Sequence, residues 1–269
     1  MRKTLIATAV IGALSIPTVV LADDAPAASP VSFNVGVVTD YLFRGISQTH
    51  TNPAIQGGVD YANPNGLYVG AWASSISWVN DGYGGSTPTE IDVYGGYSGT
   101  FAGDWGYDVG LITYNYPGNG RTGDYASPNT QEVYGSLSYK WISVKYSHVV
   151  SSHFVGFGTS SDAKGNTRGS HYLEVNASYD FGNGWGISGH AGHQTVKDNA
   201  PVSYSDWNVG VTKDVGFGVV GLTYSDTNTS GSCNSTGGTN AYCWTTWQSN
   251  TNYKDVSRGT AVLSFTKSF

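Results

Sequence analysis

The chain has 269 residues, with 13 Lys and Arg against 19 Asp and Glu, 12% charged residues, 37 Gly, 19 Tyr, 8 Trp and one Met. Soluble domains usually carry roughly 25% charged residues, yet beyond the N-terminus no apolar run approaches the roughly 20 residues of a membrane helix. A helical membrane bundle is thereby excluded, the mild net charge of −6 leaves no nucleic-acid footprint, and the composition predicts many short strands joined by turns.

Arg2 and Lys3 precede an apolar stretch from Leu5 to Leu21 that contains Pro17 and ends in Val20-Leu21-Ala22 before Asp23-Asp24. These are the charged, apolar and small-residue zones of a secretory signal, with cleavage expected after Ala22. The mature chain, 23–269, then holds 11 basic against 19 acidic residues, a formal charge of −8. Residues 23–30, with two prolines, read as a flexible lead-in.

Val31 to Phe43 is predicted as the first strand. Val31, Phe33, Val35, Val37, Tyr41 and Phe43 share one parity, and Ser32, Asn34, Gly36, Asp40 and Arg44 the other. The run is a little longer than the roughly 9–11 tilted residues that cross a hydrocarbon layer. Ala54 to Tyr61 and Leu67 to Trp78 repeat the alternation around the turn Asn63-Pro64-Asn65-Gly66, and a polar loop, Asn80 to Thr87, follows. Glu90 to Tyr97 and Trp105 to Tyr116 form the next pair, then Thr130 to Tyr139 and Ile142 to Val149 across a very short connection. Tyr172 to Phe181 meets Trp185 to Thr195 at Asp180 to Gly184, and Asp206 to Lys213 meets Phe217 to Ser225 at Asp214-Val215-Gly216. In the last of these, adjacent Val219 and Val220 leave the parity open. Arg258 to Phe269 is the final strand, after the longest polar insertion.

The expected fold class is therefore all-β: a single antiparallel transmembrane β-barrel of about 12 strands over residues 31–269, with short periplasmic turns and long extracellular loops. The first strand should pair with the last. Phe33, Tyr61, Tyr97, Trp105, Tyr107, Tyr139, Tyr179, Phe181, Trp185 and Phe269 fall near the short-turn ends, where a membrane-interface girdle would sit. Phe269 closes an amphipathic strand in the manner of the signal read by outer-membrane assembly machinery. Lys267 stands where an apolar residue is commoner, and a lysine there can snorkel.

The blocks DYLFRGISQT (Asp40 to Thr49), GLYVGAWASSI (Gly66 to Ile76), EIDVYGGY (Glu90 to Tyr97) and YDVGLITYNYPG (Tyr107 to Gly118) resemble the TorF-type porin family, also known as the Gcw_chp outer-membrane family of proteobacteria. The likeness covers essentially the mature chain, except that the cysteine-bearing insertion does not match the pattern. It implies an outer-membrane barrel with a pore function in a Gram-negative bacterium, and brings neither a substrate nor site residues.

Strand parity places Asp40, Asp60, Glu90, Asp92, Asp108, Glu132, Glu174 and Asp206 on the polar face, with Arg44, Lys145 and Arg258 as cations. Such a lumen would be acidic and favour cations. The same residues read equally as groups that hydrate the interior and form structural ion pairs. Tyr68, Trp72, Tyr94, Tyr134 and Tyr172 share this face and are candidates to constrict or plug a passage intermediate between filled eight-stranded and open sixteen-stranded barrels.

Cys233 and Cys243 form an even pair in one loop, most simply a disulfide in an oxidising compartment. His148, His153, His171, His190 and His193 match no metal spacing, Gly118 to Gly123 spells a GxGxxG that opens no helix, and no GxSxG, HExxH or P-loop occurs. No cofactor, metal or nucleic-acid partner is expected. The expected partners are outer-membrane lipid, the assembly machinery and a small hydrophilic solute. The alternatives are a barrel enzyme using rim groups such as Asp40, Arg44, His148 or His171, a closed structural barrel, and a secreted sugar-binding β-sandwich.

Overall fold

Residues 29–83, 85–118, 126–246 and 252–269 are described by a computed structural model. The predicted signal peptide, most of the lead-in and residues 119–123 of the glycine motif lie outside them.

Twelve strands make one wall: β1 Val31–Val38, β2 Ala54–Ala62, β3 Leu67–Ser75, β4 Thr89–Phe101, β5 Trp105–Asn115, β6 Thr130–Tyr139, β7 Ile142–Val149, β8 His171–Gly182, β9 Trp185–Thr195, β10 Tyr204–Asp214, β11 Val219–Thr227 and β12 Thr260–Ser268. Each pairs antiparallel with its neighbours in sequence, and β1 pairs with β12 to close the barrel. Val37 stands opposite Phe265, and the backbone N–H of Phe269 donates to the Phe33 carbonyl at 2.9 Å. Closure leaves no sheet edge unpaired.

The alternation decides which face is which. Val37, Leu67, Val109 and Leu222 are 50–54% exposed on the outside, whereas Asp92 and Glu132 on the inside are 0% exposed. The polar side chains therefore make the interior, the reverse of a soluble β-sandwich. On β11 the parity left open by Val219 and Val220 is set by Leu222 and Tyr224 outside and Thr223 and Ser225 inside. The aromatic residues predicted at the short-turn ends are exposed there, apart from half-buried Tyr107, and Trp105 and Tyr139 pack with ring centroids 5.0 Å apart.

The connections β2–β3, β4–β5, β6–β7, β8–β9 and β10–β11 are short, and the others long. At Gly66 the first short turn needs φ of +100°, and a Cβ there would collide with the Ser98 carbonyl. Only glycine meets both conditions.

Several predicted strand bounds shift, β4 running on to Phe101 and β10 starting at Tyr204 among them, and three of the shifts bear on the interior. The first strand stops at Val38, because β2 begins at Ala54 directly opposite it and β12 gives its last bond, Leu263 O to Thr39 N. Beyond that point no neighbour continues the ladder, so Tyr41 and Phe43 turn inward instead of facing out. The third strand ends at Ser75, and Trp78–Tyr83 forms a short helix where a strand end and a polar loop were expected. Arg258 lies outside β12, exposed in the turn before it, and so does not line the interior.

Candidate functional site

The segment after β1 forms a small hairpin, Leu42–Phe43 paired with Ile46–Ser47, whose tip is Arg44 and Gly45 at φ of 49° and 80°. It crosses the bore. A Cβ on Gly45 would lie 2.6 Å from Thr227 Cγ2 and 2.9 Å from Asp206 Cβ, so the tip presses on β10 and β11, while Arg44 reaches β6, five strands round from β1. The base is held from above. Ser47 N–H donates to the Val256 carbonyl at 2.8 Å, and the N–H groups of Ser77 and Trp78 donate to the Gln48 carbonyl at 2.9 and 3.1 Å.

Arg44 is buried and fully engaged. Its Nη1 and Nη2 donate to Glu132 Oε1 at 3.0 Å and Oε2 at 2.7 Å, and Nη1 also donates to Gln194 Oε1 at 2.6 Å. The guanidinium carbon lies 4.3 Å from the Tyr172 ring centroid, 4.8 Å from Phe43 and 5.6 Å from Phe154. Burial opposes the charge, and Glu132 overcomes that penalty and holds the guanidinium above its ordinary pKa. A planar fork between a bidentate carboxylate and aromatic faces suits arginine rather than lysine.

Glu90, Asp92 and Glu132 share this level. Tyr41 Oη donates to Glu90 Oε1 at 3.3 Å, while Glu90 Oε2 and both oxygens of Asp92 accept no hydrogen bond that the geometry shows among the described residues. Aromatic rings wall them in: Tyr41 packs on Trp72 at 5.4 Å, Phe43 on Tyr114 at 5.5 Å and Trp78 on Tyr116 at 5.0 Å. Asp40, at the hairpin's root, accepts from Ser47 Oγ at 2.6 Å and Thr49 Oγ1 at 3.0 Å. Burial pushes its carboxyl above the usual carboxylate range, with those hydrogen bonds and Lys254 opposing.

Toward the short-turn end a second layer follows. Tyr94 donates to Asp60 at 2.5 Å, Tyr68 donates to Asp108 at 2.6 Å and also meets Tyr134, and Lys145 Nζ sits 4.4 Å from the Tyr134 ring centroid. Across the bore, Tyr172 Oη donates to Asp206 Oδ2 at 2.8 Å, and His190 places Nε2 3.0 Å from Asp206 Oδ1 and Nδ1 2.7 Å from Asn176 Oδ1. Asn176 Nδ2 donates to Glu174 at 3.0 Å. Below these lie Ser98, Ser136, Ser138, Ser143 and Ser188, all half-buried, so small polar side chains replace the tyrosines toward the short turns. The bore is thus lined by small polar groups at one end, and crossed by the hairpin at the other.

Of the residues predicted to line the lumen, all but Arg258 face the interior. Asp40 and Arg44 do so from the hairpin segment, not from a strand. His190 faces inward as its strand parity places it, whereas Gln194, Tyr114 and Phe154 join these residues unannounced by the sequence, since nothing local marks a glutamine or a loop phenylalanine as an arginine's partner. The rim groups suggested for an enzyme are separated by the wall: Asp40 and Arg44 are buried inside, whereas His148 and His171 share the outward parity of Tyr146 and Leu173. Among the described residues no three His, Cys, Asp or Glu side chains converge as metal ligands. Cys233 and Cys243 are bonded as a disulfide, with Cα atoms 5.4 Å apart.

A family model described as "Bacterial protein of unknown function (Gcw_chp)" matches residues 23–269. No curated relative matches in sequence. Among solved structures, the KdgM porin is similar with a TM-score of 0.53 at 9% identity, over 88% of this chain and 99% of that one. The KdgM porin in complex with disordered oligogalacturonate gives 0.51 at 8%, over 89% and 98%. The NanC porin in a rhombohedral crystal form gives 0.53 at 11%, over 89% and 98%. At these identities the likeness is one of fold.

Proposed function

The chain belongs to the Gcw_chp family, and from that membership and the inside-out barrel we propose that it is a TorF-type outer-membrane porin of a Gram-negative bacterium, exported by a signal peptide cleaved near Ala22. It is a passive channel for small hydrophilic solutes and performs no catalysis. The observation that carries this reading is the reversal of faces: a continuous apolar outer band with an aromatic girdle surrounds an interior of carboxylates, tyrosines and serines. The porins of similar fold support it.

The lumen prefers cations. Asp40, Asp60, Glu90, Asp92, Asp108, Glu132, Glu174 and Asp206 face inward against Arg44 and Lys145, and Arg44 is neutralised by Glu132. Low-dielectric walls amplify an uncompensated field of one sign. The hairpin across the bore favours a second reading in part: the resting channel is closed or narrow, and opens when the hairpin moves.

Planar-bilayer recording with folded protein tests both. Discrete conductance steps with a cation-selective reversal potential are expected. Absence of steps, even after the hairpin residues 41–49 are deleted, would leave a structural barrel and remove the pore.

A further inference from the structure

On most strands the outward face ends, at the long-loop rim, on a polar residue. Around much of that rim these are Ser75, Thr89, Asn115, Gln131, Ser205 and Asp226, none of them cationic. One sector differs. On β7 and β8, His148 and His171 are direct cross-strand partners, and His193 on β9 stands opposite Leu173, the next outward position after His171. The Tyr146 ring lies 6.1 Å from that of His148 and 5.6 Å from that of His171. The following loop brings in Lys197: a Cβ on Gly169 would lie 3.5 Å from Lys197 Cδ and 3.9 Å from His148 Cε1. Lys197 is exposed and makes no ion pair among the described residues. Asp198, exposed beside it, turns the chain at φ of 55°.

The imidazoles are oriented alike. Nδ1 lies 3.2 Å from Tyr146 Oη in His148, 3.2 Å from the Gly169 carbonyl in His171 and 2.8 Å from Ser205 Oγ in His193. Among the described residues, none of the three Nε2 atoms has a hydrogen-bond partner. Where a hydroxyl donates to Nδ1, as Tyr146 and Ser205 can, Nε2 of His148 and His193 carries the proton and is a donor in the neutral ring. His171 donates from Nδ1 to a carbonyl, so its Nε2 donates only when both ring nitrogens carry a proton.

We propose that this sector is a lipid site, in which His148, His171, His193 and Lys197 hold the phosphate of a phosphorylated glycolipid of the outer leaflet. The proposal rests on the membrane reading above. Outward residues at the long-loop rim then lie at the headgroup layer, with Tyr146 at its apolar boundary. Several N–H donors and one ammonium without protein acceptors at that level match a phosphate's charge and its three free oxygens.

The test uses the full mature chain in nanodiscs of neutral lipid, with bisphosphorylated or dephosphorylated lipid A added, and native mass spectrometry to count retained glycolipid. Wild type is expected to retain the phosphorylated form in preference, and Lys197→Gln to weaken it about five-fold. The combined variant His148→Asn, His171→Asn, Lys197→Gln should retain both forms equally. Heat-modifiable electrophoretic mobility reports that each variant is folded, and the single lysine variant serves if the triple one is not. Equal retention of the two lipids by wild type, or unchanged retention by the folded variants, would overturn the proposal. So would stripping of the lipid by excess inorganic phosphate, which would make the sector a free-anion site. A barrel that does not enter nanodiscs at all would instead defeat the membrane reading.

Discussion

Arg44 and Glu132 form a two-point ion pair, with Nη1 to Oε1 3.0 Å and Nη2 to Oε2 2.7 Å, although 88 residues separate them in the chain. The pair locks a hairpin that leaves β1 to a strand on another part of the wall. Pore state, charge and stability all pass through this contact.

Removing one partner leaves a buried charge unpaired, so Arg44→Gln or Glu132→Gln should each cost about 3–5 kcal/mol. Arg44→Met combined with Glu132→Leu should recover much of that loss, because neither charge is then stranded. Guanidinium unfolding of the micelle-bound barrel, followed by tryptophan fluorescence, gives these values. Equal stability of single variants and wild type would mean that the pair carries nothing.

Lumen charge is tested at the same level of the wall. Glu90→Gln with Asp92→Asn removes carboxylates of which three oxygens have no hydrogen-bond partner among the described residues. The reversal potential in a salt gradient should shift toward zero, with cation preference reduced. An unmoved potential would assign both groups to structure alone.

The tip of the hairpin has no room. Gly45 holds φ of +80°, and an added Cβ would meet Thr227 on β11 and Asp206 on β10. Gly45→Val should therefore displace the hairpin and raise single-channel conductance, with the barrel still heat-modifiable on a gel. Conductance equal to wild type would show that the hairpin is not the constriction.

Acid should loosen the hairpin through His50. Burial holds its imidazole below the ordinary value of 6.5, while Asp81, 3.8 Å away, works against this and Lys254 with it. A lowered histidine favours the neutral ring in the folded state. Its stabilisation is full above 6.5, begins to fall as pH drops through 6.5 and is gone below the folded value. Asp40, raised by burial, acts in the opposite sense: its contribution is full below 3.8 and declines as pH rises, so it cannot produce an acid loss. The hydrogen-exchange protection of residues 41–50, measured against the intrinsic rate at each pH, should fall below pH 6.5, and His50→Gln should flatten that profile. A profile unchanged by the substitution would remove His50 as its source.

The Cys233–Cys243 bond spans ten residues and should contribute about 3 kcal/mol to ordering its loop. Unfolded protein should take up no maleimide until reduced, and two equivalents afterwards. Labelling before reduction would mean that the bond does not form.

The wall was legible in the chain because β-structure has a local code. Side chains alternate with a period of two residues, so Phe33, Val35 and Val37 declare one face and Glu90 and Asp92 the other without reference to distant residues. Strand number, the short and long connections, the closing pair β1 and β12 and the disulfide all follow from such local signals. Tyr41, Phe43 and Arg44 obey the same alternation and yet leave the wall. Their fate depends on where β2 begins, on a carboxylate 88 residues away and on a glutamine 150 residues away. Parity assigns a side chain to a face only while a neighbouring strand continues the ladder. Whether it does, and what charge waits across the bore, is settled by closure of the barrel.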